Sequence, residues 1–156
     1  MPEQYNSIKT IYHADDDEDD RLLFTDAVDE LGLSAIVHQA EDGQKLLDML
    51  FHNSAQLPEI IFLDINMPGR NGFECLAELR KGEGALRKVK VVMLSTSSTP
   101  ENIARSFELG ADLYAVKPST YQGLKELLSE ILETDWKWEP KSRNHNKVYS
   151  SLTWLL

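Results

Sequence analysis

The sequence is short of cysteine, of long apolar runs and of positive charge. A single cysteine, Cys75, excludes an internal disulfide and favours a reducing compartment, so we expect a cytoplasmic protein. No apolar run approaches the ~20 residues that a membrane helix needs, and the first residues lack a signal-peptide pattern, so no membrane association is expected. The 16 basic residues are outnumbered by 26 acidic ones, and the net charge of −10 argues against a nucleic-acid partner.

Six consecutive acidic residues, 15–20, directly follow a short apolar stretch, residues 8–14. Carboxylates this close repel one another, so the run needs either solvation by water or neutralisation by a cation. One interpretation is a solvated loop or the acidic first turn of a helix. The other is a hard-cation site, because Mg²⁺ and Ca²⁺ select carboxylate oxygens. The rest of the chain has to decide between these interpretations.

Short apolar runs alternate with amphipathic helical patterns along the chain. At 156 residues the chain is long enough for one domain with its own core. The predicted strands are residues 8–14, 35–40, 60–63, 89–94 and 113–116. Strand–helix alternation at this rhythm predicts an α/β fold with a doubly wound, five-stranded parallel sheet that helices cover on both faces.

Several helix ends carry capping signals. Asp42 and Thr99 are predicted N-caps, and residues 119–122 have the spacing of a capping box. Gly32 and Gly110 follow helical patterns at the position where a left-handed backbone ends a helix. These signals predict where three helices begin and where two end.

Polar residues follow the predicted strands, at the sheet edge where such folds bind ligands. They are Asp15, Asp16, Glu41, Asp42, Asp64, Ser95, Thr96 and Lys117. Each alone has an ordinary interpretation: an aspartate that caps a turn, a polar loop or a solvated lysine. Together they offer carboxylates for Mg²⁺, with a hydroxyl and an ammonium for phosphoryl oxygens. An aspartate can also attack phosphorus and form an acyl phosphate.

The combined pattern consists of Asp15-Asp16, Asp64 followed by Met67-Pro68-Gly69 and Gly72, Ser95, and Lys117-Pro118. Over residues 6–134 it resembles the response-regulator receiver domains of bacterial two-component signalling, whose hydroxyl residue and lysine have the spacing of Ser95 and Lys117. The resemblance implies a flavodoxin-like (βα)5 fold with strand order 2-1-3-4-5. It also implies that the domain is not an enzyme beyond its own phosphorylation and dephosphorylation.

The resemblance assigns a role to each residue at the strand ends. It implies that Asp64 is the phosphoacceptor. Asp15 and Asp16, together with Asp64 and the backbone carbonyl of Asn66, are implied Mg²⁺ ligands, with Asp16 the more direct of the first two. We therefore expect Mg²⁺ as the cofactor.

Other residues are implied to bind the phosphoryl group and to respond to it. Ser95 would bond the phosphoryl group through its hydroxyl, a role for which spacing favours it over Thr96, and Lys117 would pair with the same group. Pro118 is expected after a cis peptide. Tyr114 occupies the position of the family's aromatic switch, although packing on the sheet edge is an equally good interpretation.

Two positions are implied to set the lifetime of the phosphorylated state. They are Asn66, two residues after the phosphoacceptor, and Ser97, two residues after the hydroxyl residue. Asn66 can orient a water molecule, but Ser97 lacks the carboxylate or amide of relatives that dephosphorylate fast. We therefore hypothesise a moderate to slow loss of phosphate.

The implied function is a single-domain response regulator that accepts a phosphoryl group from a histidine kinase or a phosphotransfer protein and then changes its contact with a downstream protein. One alternative is an aspartate-nucleophile phosphatase, but such an enzyme requires a second acidic residue at the position of Asn66. Another is a pseudo-receiver that binds partners without phosphorylation. Retention of Asp16, Asp64 and Lys117 argues against the pseudo-receiver.

Residues 135–156 form a C-terminal extension that is too short for a separate output domain. It contains all three tryptophans, Trp136, Trp138 and Trp154. One interpretation is a segment folded onto the receiver domain or partly disordered. The other is a docking or dimerisation segment, because exposed tryptophans and leucines are typical of interfaces. In that case we expect a homodimer.

Overall fold

A computed structural model describes residues 9–52, 57–82, 84–134 and 147–150. The strands are β1 (Lys9–Ala14), β2 (Ala35–Ala40), β3 (Ile60–Leu63), β4 (Lys90–Ser95), β5 (Leu113–Val116) and β6 (Lys147–Tyr149). The α-helices are α1 (Glu18–Glu30), α2 (Gly43–His52), α3 (Gly72–Lys81), α4 (Pro100–Glu108) and α5 (Tyr121–Thr134), and a 3-10 helix spans Gly84–Lys88. None of the described helices has the length and apolar character of a membrane span.

The strands form one parallel sheet in the order β2-β1-β3-β4-β5-β6. The predicted order 2-1-3-4-5 is therefore confirmed. The register pairs Ala14 with Leu63, and Ser95 with Val116. Because the last residues of neighbouring strands are paired, the segments that follow these strands leave the sheet at one edge.

The sixth strand, β6, lies in the C-terminal extension, where no element was predicted. It pairs with β5 in parallel, and Tyr149 is buried in the same core cluster as α1 and α5. With three residues, β6 is too short to show an alternating apolar pattern in the sequence. The extension's tryptophans, for which two interpretations were left open, lie outside the described residues.

The two faces of the sheet carry separate apolar clusters because side chains along a strand alternate between faces. On β3, Ile61 and Leu63 belong to the cluster under α2 and α3, whereas Ile60 and Phe62 belong to the cluster under α1 and α5. All four residues of β3 are buried. Burial on both faces explains why this strand is continuously apolar in the sequence.

Most of the predicted helix ends agree with the structure. Asp42 and Thr99 accept hydrogen bonds from backbone N–H groups of the first helical turn, and Gly32 and Gly110 have positive φ angles of 73° and 106°. The capping box predicted over residues 119–122 is wrong. Helix α5 begins at Tyr121, and Thr120 caps it by accepting a hydrogen bond from the Gly123 N–H.

Candidate functional site

The sheet ladder continues past the strand ends and fixes the backbone of the candidate site. The Asp64 N–H donates to the Ala14 carbonyl over 3.0 Å, and the Lys117 N–H donates to the Ser95 carbonyl over 2.8 Å. Each of these residues is therefore held by the strand next to its own. Their side chains start from rigid positions at a single edge of the sheet.

Three carboxylates meet at this edge. One carboxylate oxygen from each of Asp15, Asp16 and Asp64 lies within 4.8 Å of the other two. Asp15 and Asp64 are buried, with exposed fractions of 1% and 7%, whereas Asp16 is exposed. Buried carboxylates at such distances need positive charge, and an all-oxygen donor set suits Mg²⁺. The residues present therefore fit the expected ion.

The electrostatics of Asp64 reflect this crowding. Burial raises the pKa of its carboxyl group to about 6, and the neighbouring charges of Asp15 and Asp16 act in the same direction. The Lys117 ammonium and the backbone N–H of Asn66 oppose the rise. The ionised carboxylate is thus less stable here than in water, and an added cation would favour it. The role of the Asn66 carbonyl as a metal ligand stays a prediction.

Lys117 is the cation that faces the carboxylates. Its Nζ lies 2.7 Å from Oδ2 of Asp15, 3.2 Å from Oδ2 of Asp20 and 3.6 Å from Oδ2 of Asp64. Burial acts to lower the pKa of Lys117, but the hydrogen bond to Asp15 and the surrounding negative charges outweigh it, so the pKa is raised. The amine therefore stays protonated and carries a full positive charge into the site.

Asp20 is a residue of the site that sequence reasoning missed. It belongs to the acidic run 15–20, for which a solvated first helical turn was one interpretation, yet its side chain contacts Lys117. Asp20 lies in the first turn of α1, where the N-cap Asp17 accepts a hydrogen bond from its N–H. Side chains of a helix point back toward its N-terminus, which here adjoins the end of β1. That direction indicates a position near the end of β1, but it does not predict the contact with Lys117.

Ser95, Ser97 and Tyr114 form a hydrogen-bonded group beside the carboxylates. Ser95 is fully buried and its Oγ accepts from the Ser97 N–H over 3.1 Å, whereas the neighbouring Thr96 is exposed. Tyr114 is also fully buried, and its hydroxyl donates to the Ser97 carbonyl over 2.8 Å. Ser97 Oγ accepts from Nδ2 of Asn102 in α4 over 2.9 Å. The loop after β4 is therefore tied to both Tyr114 and α4.

The expected cis peptide before Pro118 is wrong, because the described residues contain no cis peptide bond. Trans is the lower-energy isomer of an X–Pro bond by about 0.5–1 kcal/mol. With the trans bond in place, Lys117 still reaches Asp15 and Asp64. The site geometry described above therefore does not require the cis isomer.

Gly72 allows the loop after β3 to pack against the phosphoacceptor candidate. Its N–H donates to the Ile65 carbonyl over 2.8 Å, and a Cβ at this position would collide with the backbone carbonyl of Asp64. Asn71 and Glu74 then close a reciprocal capping box that starts α3. The close approach of the Asp64 backbone thus explains why a glycine occupies position 72 in the sequence pattern.

His13 is a buried neighbour of the site. Its ring stacks on Phe24 with 3.9 Å between centroids, and both ring nitrogens lack hydrogen-bond partners in the part of the chain that the structure describes. Burial, followed by the charges of Lys117 and Arg21, lowers the pKa of His13 to about 3. The imidazole is neutral, and it lines a cavity of about 160 Å³ that also borders Lys117.

The chain is similar to proteins of one family. Residues 11–129 match the family model of the response regulator receiver domain. The chain is 30% identical over 120 residues to FilR2, a probable methanogenesis regulatory protein of Methanothrix harundinacea, a match that covers 75% of this chain and 77% of FilR2. It is 29% identical over 147 residues to response regulator Rcp1 of Synechocystis, a match that covers 87% of this chain and 94% of Rcp1. The crystal structure of the phosphorylated cyanobacterial phytochrome response regulator RcpA matches with a TM-score of 0.76 at 28% identity, covering 83% of this chain and 94% of RcpA.

Proposed function

The chain belongs to the response regulator receiver domain family, and from this membership we propose that Asp64 accepts a phosphoryl group and that the phosphorylated domain switches its contact with a downstream protein. The donor is a phosphohistidine, presented by a histidine kinase or a phosphotransfer protein. We propose a cytoplasmic location, which the single cysteine, Cys75, favours.

One observation carries this proposal: Asp64 is a buried carboxylate that shares a crevice with two further carboxylates and an ammonium 3.6 Å away. With a pKa of about 6, the carboxylate is mostly ionised near neutral pH and can act as a nucleophile. An exposed aspartate would be ionised too, but it would lack groups that neutralise an incoming phosphoryl group.

In the proposed reaction an oxygen of Asp64 attacks the phosphorus atom of phosphohistidine. The new bond is an acyl phosphate, the phosphorus–nitrogen bond breaks, and the imidazole leaves with its electron pair. Lys117 neutralises the transferred oxygens, and Ser95 donates its hydroxyl hydrogen to one of them. Asp15, Asp16, Asp64 and the Asn66 carbonyl would hold Mg²⁺, which supplies further positive charge at the phosphoryl oxygens when it is bound.

The switch is proposed to act through the loop after β4. A phosphoryl group on Asp64 attracts the Ser95 hydroxyl, which now accepts a hydrogen bond from the Ser97 N–H. Ser97 is bonded in turn to Tyr114 and Asn102. Because Tyr114 already points inward, phosphorylation would stabilise this arrangement, as a shift between populations. The surface formed by α4, β5 and α5 would then bind its partner differently.

Incubation with acetyl phosphate and Mg²⁺, followed by intact-protein mass spectrometry, tests phosphoryl acceptance. We expect wild type to gain a single phosphoryl group and Asp64→Asn to gain none. Asp48→Asn removes the same charge from an exposed position of α2 and should behave as wild type. Chelation of Mg²⁺ should abolish the gain of mass. Equal phosphorylation of Asp64→Asn and wild type would contradict the proposal.

A moderate to slow loss of phosphate is proposed from Ser97 and Asn66. The Ser97 hydroxyl is engaged by Asn102 at 2.9 Å, so it is directed at α4 rather than at a water molecule on phosphorus. Ser97→Asn introduces an amide that can orient such a water, and we expect faster decay of phospho-Asp64. Decay is followed by the return of the unphosphorylated mass in Mg²⁺ buffer. A wild-type lifetime of seconds would refute the proposed slow loss.

A further inference from the structure

The ammonium of Lys117 has three N–H donors and three carboxylate neighbours. Two of these neighbours, Asp15 and Asp64, also belong to the set of carboxylates that fits Mg²⁺. The third, Asp20, does not. Lys117 and the metal would therefore both contact Asp15 and Asp64, whereas, of the two, Asp20 contacts only Lys117.

Sharing creates a competition at Asp15. The shortest contact of the ammonium, 2.7 Å, is with Oδ2 of Asp15, and the Asp15 carboxylate also belongs to the candidate metal site. A divalent ion at Asp15 and an ammonium in contact with the same carboxylate repel each other. Binding of the ion would therefore weaken the contact between Lys117 and Asp15, and a second anion beside the ammonium would offset that loss.

Asp20 is placed to be that anion. Its Oδ2 already lies 3.2 Å from Nζ of Lys117. If the ammonium moves a short distance away from Asp15, it therefore keeps an ion pair with Asp20. The Asp20 side chain is 44% exposed, so water stabilises its charge, and the helix N-terminus does the same. The N-cap bond from the Asp20 N–H to Asp17 fixes its backbone at this point.

We propose that Asp20 is a positioning residue that holds the Lys117 ammonium when Mg²⁺ occupies Asp15, so that metal and lysine can act together at Asp64. The inference rests on the proposed function, because it presumes that the three carboxylates bind Mg²⁺. Its consequence is that Asp20, which is not among the proposed Mg²⁺ ligands, strengthens Mg²⁺ binding through Lys117.

The first measurement is the Mg²⁺ affinity of the metal-free protein, determined by isothermal titration calorimetry. Asp20→Asn should weaken binding by about threefold, the size expected for a partly exposed ion pair. Asp19→Asn is the matched control, because it removes the same charge from the next residue of α1, and Asp19 is not a partner of Lys117. Asp20→Glu, whose longer side chain still reaches the ammonium, should restore most of the affinity.

The second measurement repeats the pair of titrations in a Lys117→Met background. If Asp20 acts through Lys117, Asp20→Asn weakens Mg²⁺ binding less in this background than in wild type. If Asp20 acts only by its charge, the effect is at least as large in this background, because no ammonium screens Asp20 there. Circular dichroism of every metal-free variant checks that the fold is retained.

The possible outcomes distinguish the positioning role of Asp20 from the proposed metal site. A smaller effect of Asp20→Asn in the Lys117→Met background supports the positioning role. An equal or larger effect there, or equal affinities of Asp20→Asn and Asp19→Asn, overturns that role and leaves the proposed function standing. If wild type itself binds no Mg²⁺, the metal site of the proposed function fails and the role of Asp20 fails with it.

Discussion

At the amino-terminal edge of the sheet Arg80 pairs with Asp112, whereas at the carboxyl-terminal edge Lys117 lies close to three aspartates of the described chain. Nη2 of Arg80 lies 3.0 Å from Oδ2 of Asp112, and this oxygen also accepts from the Val91 N–H over 2.9 Å. Arg80 donates as well to the backbone carbonyls of Gly110 and Val89. Both clusters hold mostly buried charge within the same domain.

The difference between the clusters lies in their charge balance. Arg80 and Asp112 neutralise each other, and their hydrogen bonds connect α3, β4 and β5. At the other edge, burial and neighbouring carboxylates raise the pKa of Asp64 to about 6 even though Lys117 is close. The Arg80–Asp112 pair already matches one positive charge with one negative charge, whereas the carboxylates around Lys117 outnumber it and would be stabilised by a further cation. The comparison separates a structural ion pair from a reactive site.

Breaking the amino-terminal cluster should give the largest change in stability. Arg80→Ala leaves the buried Asp112 without its counter-charge, and we expect the free energy of unfolding to fall by about 3 kcal/mol. Urea unfolding of the metal-free protein measures this change. Arg87→Ala, at an exposed position nearby, should change it by less than about 0.5 kcal/mol. A loss below about 1 kcal/mol for Arg80→Ala would show that the pair is not structural.

Removing a negative charge from the carboxyl-terminal cluster should raise the free energy of unfolding, in contrast to Arg80→Ala. Because the folded pKa of Asp64, about 6, lies above its value in the unfolded chain, the ionised group lowers stability above pH 6. Asp64→Asn should therefore stabilise the metal-free protein by about 2 kcal/mol near neutral pH. The gain should shrink as the pH falls through the folded pKa and vanish below about pH 4, where Asp64 is protonated in both states.

Urea unfolding of wild type and Asp64→Asn in the presence of a chelator, at several pH values, measures this difference. Other titrating groups, His13 included, contribute to both proteins and largely cancel. A destabilising effect of Asp64→Asn near neutral pH would mean that Lys117 overcompensates the burial of the carboxylate. The carboxyl-terminal cluster would then stabilise the fold, as the Arg80–Asp112 pair does, and the proposed difference between the two clusters would be wrong.

The smallest expected effect concerns the hydrogen bond between Tyr114 and Ser97. Tyr114→Phe leaves the Ser97 carbonyl without this donor, and we expect the free energy of unfolding to fall by about 1 kcal/mol. Tyr12→Phe is the control, because Tyr12 is also buried, with 3% exposure, and its hydroxyl makes no hydrogen bond in the described part of the chain. Equal effects of the two substitutions would show that the bond to Ser97 adds nothing.

The central strands β3 and β4 could be predicted well because they are buried on both faces, whereas β2 at the side of the sheet is mostly part-exposed. The predicted strands 35–40, 60–63 and 113–116 have the observed bounds, and the fourth strand is shifted by a single residue, to Lys90–Ser95. A strand that is buried on both faces has a continuous apolar sequence, so it can be recognised without knowing which strands lie beside it. The strand ends follow from these bounds, so the meeting of Asp15, Asp64 and Lys117 could be expected as well.

What could not be predicted depends on contacts between distant parts of the chain. Asp20 and Lys117 are 97 positions apart, and Asp20 joins the site only because α1 packs against α5 in the folded chain. The strand β6 gains its stability from pairing with β5 rather than from its own three residues. The peptide bond before Pro118 has two isomers of similar energy, and local sequence does not decide between them.

The central claim is that Asp64 carries the phosphoryl group, and its most direct test is to locate the acyl phosphate. The protein is treated with acetyl phosphate and Mg²⁺, reduced with borohydride, which converts an aspartyl phosphate to homoserine, and digested for peptide mass spectrometry. We expect homoserine at position 64 and unmodified residues at Asp15, Asp16 and Asp20. Homoserine at any of these three positions instead of position 64, or none at all in protein that has gained phosphoryl mass, would contradict it.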